Sequence, residues 1–366
     1  MSESVTASSD PHARRRITLQ AIGVALIVVV SLIGIMPSPF VIERPGPVYD
    51  TLGTTTVDGD DVPVIEITGT ETFPTKGRLD LLTVYLDGTR ESPIDWFSVA
   101  SAWFDSNQAI IPVDQVFPAG QTDEEADQES AIDMQVSQQE AVAAALSQLD
   151  IPFTAKVAVG AVTTDGPSDG VLLEGDIVLE IGGASIATED ELREAIAAST
   201  VGEPLAIVVD RDGSERDLEV TPQARSAEDA GPVLGIYPIT AYTFPFQVDI
   251  GLQDVGGPSA GTMFALAIYD KLTPGPLVGG EHVAGTGTIS ADGTVGPIGG
   301  IRQKMIGARD AGADWFLAPS ANCDEVVGHV PNGLTVFAVD TFDDAVDLVT
   351  AIGDGGSTSA FASCEG

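Results

Sequence analysis

A tight turn followed at once by an apolar segment constrains this chain more than any other feature. The turn is Gly256-Gly257-Pro258-Ser259-Ala260-Gly261, and the apolar segment runs from Thr262 to Ile268. Glycine and proline favour a sharp change of chain direction, and the apolar run is long enough for a buried helix. Ser259 is therefore predicted at a helix N-terminus, where free N–H groups and the helix dipole favour negative charge on a bound carbonyl oxygen. The turn is a candidate oxyanion site, although such a string also occurs as an ordinary helix start.

A second helix is predicted from Ile301 to about Ala311, with Gly312 as its C-terminal stop. Helical spacing places Lys304 on the apolar stripe of this helix, together with Ile301, Met305 and Ala308. Burial disfavours an ammonium group, so the pKa of Lys304 is expected to fall. A neutral amine near a serine can take the proton of its hydroxyl, as in Ser-Lys forms of nucleophilic catalysis. The alternative is a lysine whose charged end reaches water.

Three motifs follow one another in a specific order. They are the Gly-Pro-Ser-Ala-Gly turn at 257–261, the Gly285-Thr286-Gly287-Thr288-Ile289 strand, and the Pro297-Ile298-Gly299-Gly300 turn that leads to Lys304. In this order they closely resemble the Lon-type (S16) serine protease domain, over about Ile239 to Leu348. The resemblance implies that Ser259 is the nucleophile and Lys304 the general base. It also implies supporting roles for Thr286, whose hydroxyl helps to hold the lysine, and for Gly257 and Pro258 in the turn.

The chain departs from the Lon pattern at one position. Many Lon proteases carry an acidic residue just before the Gly-Pro-Ser turn, and this chain has Gly256 there. Asp254 is close by in the sequence but out of register with that position. We therefore do not assign the acidic role to Asp254.

The N-terminal residues predict a membrane anchor. Residues 1–16 form a cytoplasmic tail that ends in three arginines, and Ile17 to Met36 form an uncharged apolar run of about 20 residues, the length of one membrane span. Basic residues stay on the cytoplasmic side, so the chain after about Pro37 is expected outside the cytoplasm, at the cell membrane. A cleaved signal peptide is the alternative. However, the run is longer than a usual signal, and the residues after it offer no small-x-small cleavage site.

Cys323 and Cys364 both fall beyond the predicted span, in a compartment where disulfides form. A disulfide that ties the C-terminal tail to the protease domain is expected, and two free thiols are the alternative. Neither cysteine has metal-ligand spacing, and the three histidines are scattered along the chain. No metal site is therefore predicted.

The chain as a whole predicts an α+β or α/β multidomain protein. Residues 37–150 are predicted as a mixed α/β region outside the cytoplasm, with an acidic loop at 120–130 and a helix from Ala131 to Leu149. No catalytic constellation is recognisable in this region. Residues 151–224 form the next domain, and residues 225–366 form the proteolytic domain.

The domain at 151–224 has a recognisable pattern of its own. A Gly-Asp turn at Gly175-Asp176 precedes an apolar strand, and a short amphipathic helix around 189–198 and the strand Leu205–Asp210 follow. This pattern closely resembles a PDZ domain, a small β-barrel-like fold. The resemblance implies a groove beside one strand edge that binds an extended peptide as an added strand. The loop that would grip a C-terminal carboxylate is not recognisable, and a unit that only packs as a spacer is the alternative.

The composition is strongly acidic, with 55 Asp plus Glu against 16 Lys plus Arg and a formal net charge of -39. Such a surface repels nucleic acid, so no nucleic-acid partner is expected. The sequence contains no Gly-x-x-x-x-Gly-Lys-Ser/Thr phosphate loop, so no nucleotide and no other cofactor is expected. Hydrolysis is therefore predicted to proceed without the ATPase module that drives full-length Lon.

The predicted span, the PDZ-like domain and the S16-like domain together resemble the bacterial PDZ-containing, Lon-like membrane proteases. We expect a membrane-tethered serine endopeptidase that cleaves unfolded or membrane-proximal proteins outside the cytoplasm, with the PDZ domain governing substrate access. The Lon resemblance alone implies a homo-oligomer. The rival is a non-catalytic adaptor whose PDZ domain captures peptide tails. The intact set of Ser259, Lys304 and Thr286 disfavours that rival.

Overall fold

The computed structural model describes residues 20, 22, 24–26, 28–29, 31–57, 59–118, 120–225, 231–252 and 255–364. The predicted tail at 1–16 lies outside these residues, as do Asp254 and positions 17–19, 21, 23, 27 and 30 of the predicted span. Among the residues that are described, no helix combines the length and the apolarity needed to cross a bilayer.

The helices alternate with strands along most of the chain. The helices are α1 (Trp96–Ala102), α2 (Val113–Val116), α3 (Asp123–Gln148), α4 (Glu189–Ala197), α5 (Gly261–Leu272), α6 (Ile301–Ala311), α7 (Cys323–Val326) and α8 (Phe342–Gly353), with a 3-10 turn at Ser320–Asn322 before α7. The strands of the first half are β1 (Phe40–Asp50), β2 (Thr54–Val57), β3 (Asp60–Pro63), β4 (Ile65–Thr68), β5 (Arg78–Asp87), β6 (Ala109–Pro112), β7 (Thr154–Val162), β8 (Ile177–Ile181) and β9 (Ala184–Ser185). Those of the second half are β10 (Leu205–Arg211), β11 (Ser214–Val220), β12 (Gln223–Ala224), β13 (Pro232–Val233), β14 (Ile236–Thr243), β15 (Gln247–Ile250), β16 (His282–Gly285), β17 (Thr288–Ile289), β18 (Val295–Gly296), β19 (Trp315–Pro319) and β20 (Thr335–Val339).

The chain divides into two compact units that differ from the predicted domains. The first comprises residues 1–67, 71–145 and 248–366, and the second comprises 68–70 and 146–247. The main sheet of the first unit has the strand order β20-β19-β16-β5-β1-β6. β5 pairs in parallel with β16, and β1 pairs antiparallel with both β5 and β6. Residues 37–150 therefore supply half of the sheet that carries the proteolytic segment, instead of forming a region of their own.

A shared hydrophobic core ties α6 to this sheet. Ile301, Met305 and Ala308 of α6 are fully buried, and they lie in one cluster with Leu82 of β5 and Phe316 of β19. This is the apolar stripe that the sequence spacing predicts for the helix. Burial of the stripe fixes the rotation of α6 and therefore the direction in which Lys304 points.

The helix α3 begins earlier than predicted. The expected acidic loop at 120–130 is wrong from Asp123 onwards, because these residues form the first turns of α3. Thr122 and Glu125 explain the early start: the Thr122 hydroxyl accepts a hydrogen bond from the Glu125 N–H, and the Glu125 carboxylate accepts one from the Thr122 N–H. This reciprocal pair is a capping box, which satisfies N–H groups that a helix start otherwise leaves free.

The second unit is built on a sheet with the order β11-β10-β8-β7-β14, and β9 adds to β8. β14 runs antiparallel to β7, with Ile239 opposite Ala158. Because β14 completes this sheet, the unit extends past residue 224 as far as Gln247. Its core contains Leu192 of α4 and Ile207 and Val209 of β10.

The two cysteines are joined in a disulfide. Cys323 is the first residue of α7, and Cys364 is buried near the end of the chain. The backbone next to the bridge is also held, because the Ala338 N–H donates to the Ala362 carbonyl at 2.9 Å. The C-terminal segment is thereby tied to β20 and α7.

Candidate active site

Ser259 lies directly before the first helical residues of α5. The helix begins at Gly261, with Ala260 as its N-cap. The Ser259 carbonyl accepts two hydrogen bonds at 2.9 Å, one from the Gly287 N–H and one from the Thr286 hydroxyl. The N–H groups of Ser259 and Ala260 have no backbone acceptor among the described residues. The turn therefore presents N–H groups at the positive end of a helix dipole, as the sequence predicts.

Helix α3 holds the other side of the turn. The Ser137 hydroxyl donates to the Pro258 carbonyl at 2.9 Å, and the Gly257 N–H donates to the Ser130 carbonyl at 2.9 Å. A Cβ at Gly256 would collide with the Ser130 hydroxyl, so a side chain there requires this hydroxyl to turn away. This contact favours glycine at the position where many Lon proteases carry an acidic side chain.

Lys304 approaches Ser259 from α6. Its side chain is 2% exposed, and its Nζ lies 2.8 Å from Ser259 Oγ and 3.2 Å from Thr286 Oγ1. The structure thus brings together the three side chains to which the sequence analysis gives catalytic or supporting roles. The distance between Nζ and Oγ is short enough for direct proton transfer.

The surroundings of Lys304 favour its neutral form. Burial lowers the pKa of the Lys304 amine to about 8, while the Glu43 carboxylate acts in the opposite direction. Desolvation has the larger effect because an ammonium group loses its hydration when it is buried. A substantial fraction of the amine is therefore unprotonated at a mildly alkaline pH, and this form can accept a proton from Ser259.

Thr286 orients the amine. Its hydroxyl proton is already donated to the Ser259 carbonyl, so only its lone pairs are available to Lys304. A neutral lysine amine must then direct an N–H towards Thr286 at 3.2 Å. That arrangement leaves the nitrogen lone pair free for the Ser259 hydroxyl at 2.8 Å.

Glu43 of β1 is a member of the site that the sequence analysis missed. The residue is 7% exposed, and its carboxyl lies against Gly300, where an added Cβ would come within 2.5 Å of a carboxylate oxygen. Burial raises the pKa of the Glu43 carboxyl, and the charge of Lys304 acts in the opposite direction. The sequence offered no local signal for this role, because Glu43 is followed directly by Arg44 in β1 and nothing local connects residue 43 with residue 304.

A cleft of about 280 Å³ opens onto Ser259 and Lys304. Most of its wall comes from segments far away in the sequence, namely β1, β5 and α3: Pro47, Tyr49, Leu81, Leu82, Thr83, Val84, Tyr85 and Met134. The wall combines apolar side chains with polar groups, so it suits an extended polypeptide, which presents both. Within the described ranges, no three His, Cys, Asp or Glu residues are placed to hold a metal ion.

Two segments of the chain match known domain families. Residues 247–351 match the Lon protease (S16) C-terminal proteolytic domain, and residues 130–221 match the PDZ domain. A crystal structure of the PDZ domain of an SdrC-like protein from Listeria monocytogenes is 25% identical, with a TM-score of 0.22; the match covers 23% of this chain and 87% of that one.

Curated relatives match through part of their length. Lon protease 1 of Sorangium cellulosum is 37% identical over 103 residues, which are 27% of this chain and 12% of that protein. The Lon protease of Chloroflexus aurantiacus is 33% identical over 174 residues, which are 46% of this chain and 20% of that protein. The chain thus spans a fifth or less of the length of these relatives. Both predicted domain types are confirmed: the chain carries a Lon-type S16 proteolytic domain, the domain of a serine peptidase, together with a PDZ domain.

Proposed function

We propose that this protein is a membrane-anchored, ATP-independent serine endopeptidase that uses a Ser259–Lys304 dyad on protein substrates outside the cytoplasm. The observation that carries the proposal is the 2.8 Å approach of the buried Lys304 Nζ to Ser259 Oγ. A buried amine with a lowered pKa, next to a serine hydroxyl at the start of a helix, has the properties of a general base beside its nucleophile.

The chemistry follows from this geometry. Neutral Lys304 takes the proton as Ser259 Oγ attacks the scissile carbonyl, and the N–H groups of Ser259 and Ala260 stabilise the developing oxyanion. The protonated amine then gives its proton to the leaving amine of the peptide, and an acyl-enzyme remains on Ser259. A water molecule, deprotonated by the same lysine, attacks the ester and releases the acid product.

The second unit offers a means of selecting substrates. β14 pairs with β7 along one edge, and no other described strand pairs with it along the opposite edge. α4 lies close to β14, where Thr240 donates a hydrogen bond to the Glu189 carboxylate at 3.0 Å. An extended peptide could add to a strand edge beside a helix in this way, which is how PDZ domains engage peptides. We propose that this unit governs substrate access.

Membrane anchoring is proposed for residues 17–36. Support comes from the uncharged composition of this run and the three arginines before it. Its described apolar side chains, from Ile22 to Met36, are between 50% and 64% exposed, as expected of side chains whose solvent is lipid. The arginines would keep the N-terminus in the cytoplasm and place the catalytic unit outside.

Independence of ATP is proposed because the sequence contains no phosphate-binding loop. Substrates are proposed to be unfolded or membrane-proximal polypeptides, since a cleft of this size admits an extended chain and not a folded domain. Association of several copies is proposed only by analogy with Lon.

A non-catalytic PDZ adaptor is the second candidate, and the open β14 edge is the observation that favours it.

Proteolysis of an unfolded protein by the purified full-length chain tests the proposal. A reduced and alkylated protein is incubated without nucleotide, in parallel with the Ser259→Ala and Lys304→Ala variants. We expect cleavage by the wild type alone. The adaptor is favoured instead if the wild type cuts no faster than either variant over a range of pH, while all three bind the same peptides.

A further inference from the structure

An exposed aromatic surface is present on α1 and the residues that follow it. Trp96, Phe97, Trp103 and Phe104, named the aromatic surface below, are 38%, 48%, 78% and 89% exposed. The opposite face of α1 is anchored in the first unit, because Val99 and Ala102 are buried. Four large aromatic side chains exposed within nine residues of the chain indicate an interaction site.

The aromatic surface lies where the apolar N-terminal segment ends. The Ser38 N–H donates to the Ile94 carbonyl at 2.8 Å, and Pro37 forms a β-bridge with Asp95. The Phe97 ring packs on Gly34 so closely that a side chain at Gly34 has no room. The last residues of the apolar segment and the start of α1 are therefore in direct contact.

We infer that the aromatic surface inserts into the interfacial layer of a lipid bilayer, on the side where the apolar segment leaves the membrane. This inference rests on the proposed anchoring of residues 17–36. If that segment spans a bilayer, the contacts of Gly34 and Ser38 place α1 at the level of the lipid headgroups. Tryptophan is enriched at this depth because its ring is apolar while its N–H still finds a polar partner.

Continuity with the apolar segment favours lipid over a second copy of the chain or a partner protein. The Trp96 ring also packs edge-on against the Phe40 ring, with 5.8 Å between the ring centroids. Asp95 and Asp105 flank the aromatic surface, so the attraction is to the apolar layer and not to anionic headgroups. The lipid is therefore expected to be zwitterionic or neutral at this contact. Two attachments, the segment and the aromatic surface, would hold the first unit in one orientation against the membrane.

Fluorescence of single-tryptophan variants in lipid nanodiscs tests the inference. The chain has three tryptophans, at positions 96, 103 and 315. The double variant Trp96→Phe, Trp315→Phe leaves Trp103 as the probe, and the phenylalanine at 315 keeps an aromatic ring for the stack with Phe337. The matched control, Trp96→Phe with Trp103→Phe, leaves Trp315 in β19. The full-length chain is placed in phosphatidylcholine nanodiscs with or without bromine atoms near the headgroup end of the acyl chains.

The inference predicts that Trp103 emission shifts to shorter wavelength in nanodiscs and loses intensity with brominated lipid, whereas Trp315 emission does not change. If the chain floats with lipid but Trp103 stays water-exposed and unquenched, anchoring stands and the inference is overturned. A shift to shorter wavelength without bromine quenching means that protein covers Trp103, and it also overturns the inference. If the wild-type chain does not float with lipid at all, both the anchoring and the inference fail.

Discussion

Lys304 and Asp176 show two ways in which this protein buries an ionisable group. Both are almost fully removed from water, at 2% and 1% exposed. Asp176, in the second unit, is held by the Arg211 guanidinium through two hydrogen bonds of 2.6 Å. Lys304 meets two neutral hydroxyls instead, and its pKa falls to about 8. Removing one partner of a buried ion pair destabilises a fold, whereas a buried amine whose hydrogen-bond partners are uncharged can act as a base.

The largest effect is expected from Lys304→Met. This change shows whether Lys304 serves as a base, as a residue that stabilises the fold, or as both. Methionine fills a similar volume without an amine, so proteolysis should fall by about a thousandfold or more, as for the loss of any dyad member. The folded state should not suffer. In the folded wild type the pKa of the Lys304 amine is about 8, whereas in the unfolded chain it is the ordinary 10.5. Burial of the amine therefore destabilises the fold most below pH 8, where the amine is protonated in both states. This cost disappears as the pH rises towards 10.5.

Unfolding in urea at several pH values checks the second half of that prediction. At pH 7 the Lys304→Met variant should be at least as stable as the wild type, and the difference should shrink as the pH increases. Ser259→Ala, equally inactive but with the lysine kept, is the matched control and should follow the wild-type dependence. A Lys304→Met variant that unfolds readily at every pH would make the lysine a structural residue like Asp176.

Asp176→Asn should have the opposite outcome: the second unit becomes less stable, but peptide cleavage continues at the wild-type rate. The change removes the charge that Arg211 binds, and hydrogen bonds between charged groups stabilise by about 1.5–3 kcal/mol. Hydrogen exchange of the β8 and β10 amides measures the loss in the second unit. Asp190→Asn, at an ion pair whose carboxylate is 87% exposed, is the control and should change little. Cleavage of a short peptide by folded Asp176→Asn should match the wild type, and a large decrease would contradict the division of roles.

Thr286→Val tests whether the hydroxyl partners orient the amine. Valine keeps the shape but removes the acceptor for Lys304 and the donor to the Ser259 carbonyl. The cost of such a lost hydrogen bond, about 1–3 kcal/mol, corresponds to about a 5- to 160-fold decrease in kcat/KM. Thr286→Ser retains the hydroxyl and should stay close to the wild type. Equal activity of the two variants would show that the hydroxyl does not position the lysine.

Glu43→Gln should have the smallest effect. It tests whether a nearby carboxylate changes the pKa of the buried lysine. The Glu43 carboxylate raises the pKa of Lys304, so its removal should shift the pH dependence of kcat/KM to lower pH. Glu66→Gln, the same change at an exposed strand position of the first unit, should leave the profile in place. A profile that is identical in Glu43→Gln and the wild type would remove Glu43 from the site.

The sequence predicted those parts of the site whose position depends on residues close to them in the chain. The turn at 256–261 and the apolar stripe of α6 predicted the surroundings of Ser259 and Lys304, and the capping box at Thr122 could have predicted where α3 begins. Glu43 and the cleft wall of β5 were not predictable in this way. They reach the site through the parallel pairing of β5 with β16, in which Leu81 lies opposite Gly285. Pairing of strands this far apart in the sequence leaves no periodic pattern near either strand.

The central claim is that neutral Lys304 activates Ser259, and the pH dependence of Ser259 modification by a fluorophosphonate measures this most directly. The reagent reports the nucleophile alone, without peptide binding or product release. We predict that the modification rate of the wild type rises through a single ionisation near pH 8, the pKa that burial gives to Lys304. The Lys304→Met variant should react slowly at every pH. A wild-type rate that does not change with pH, or equal rates for wild type and variant, would contradict the account.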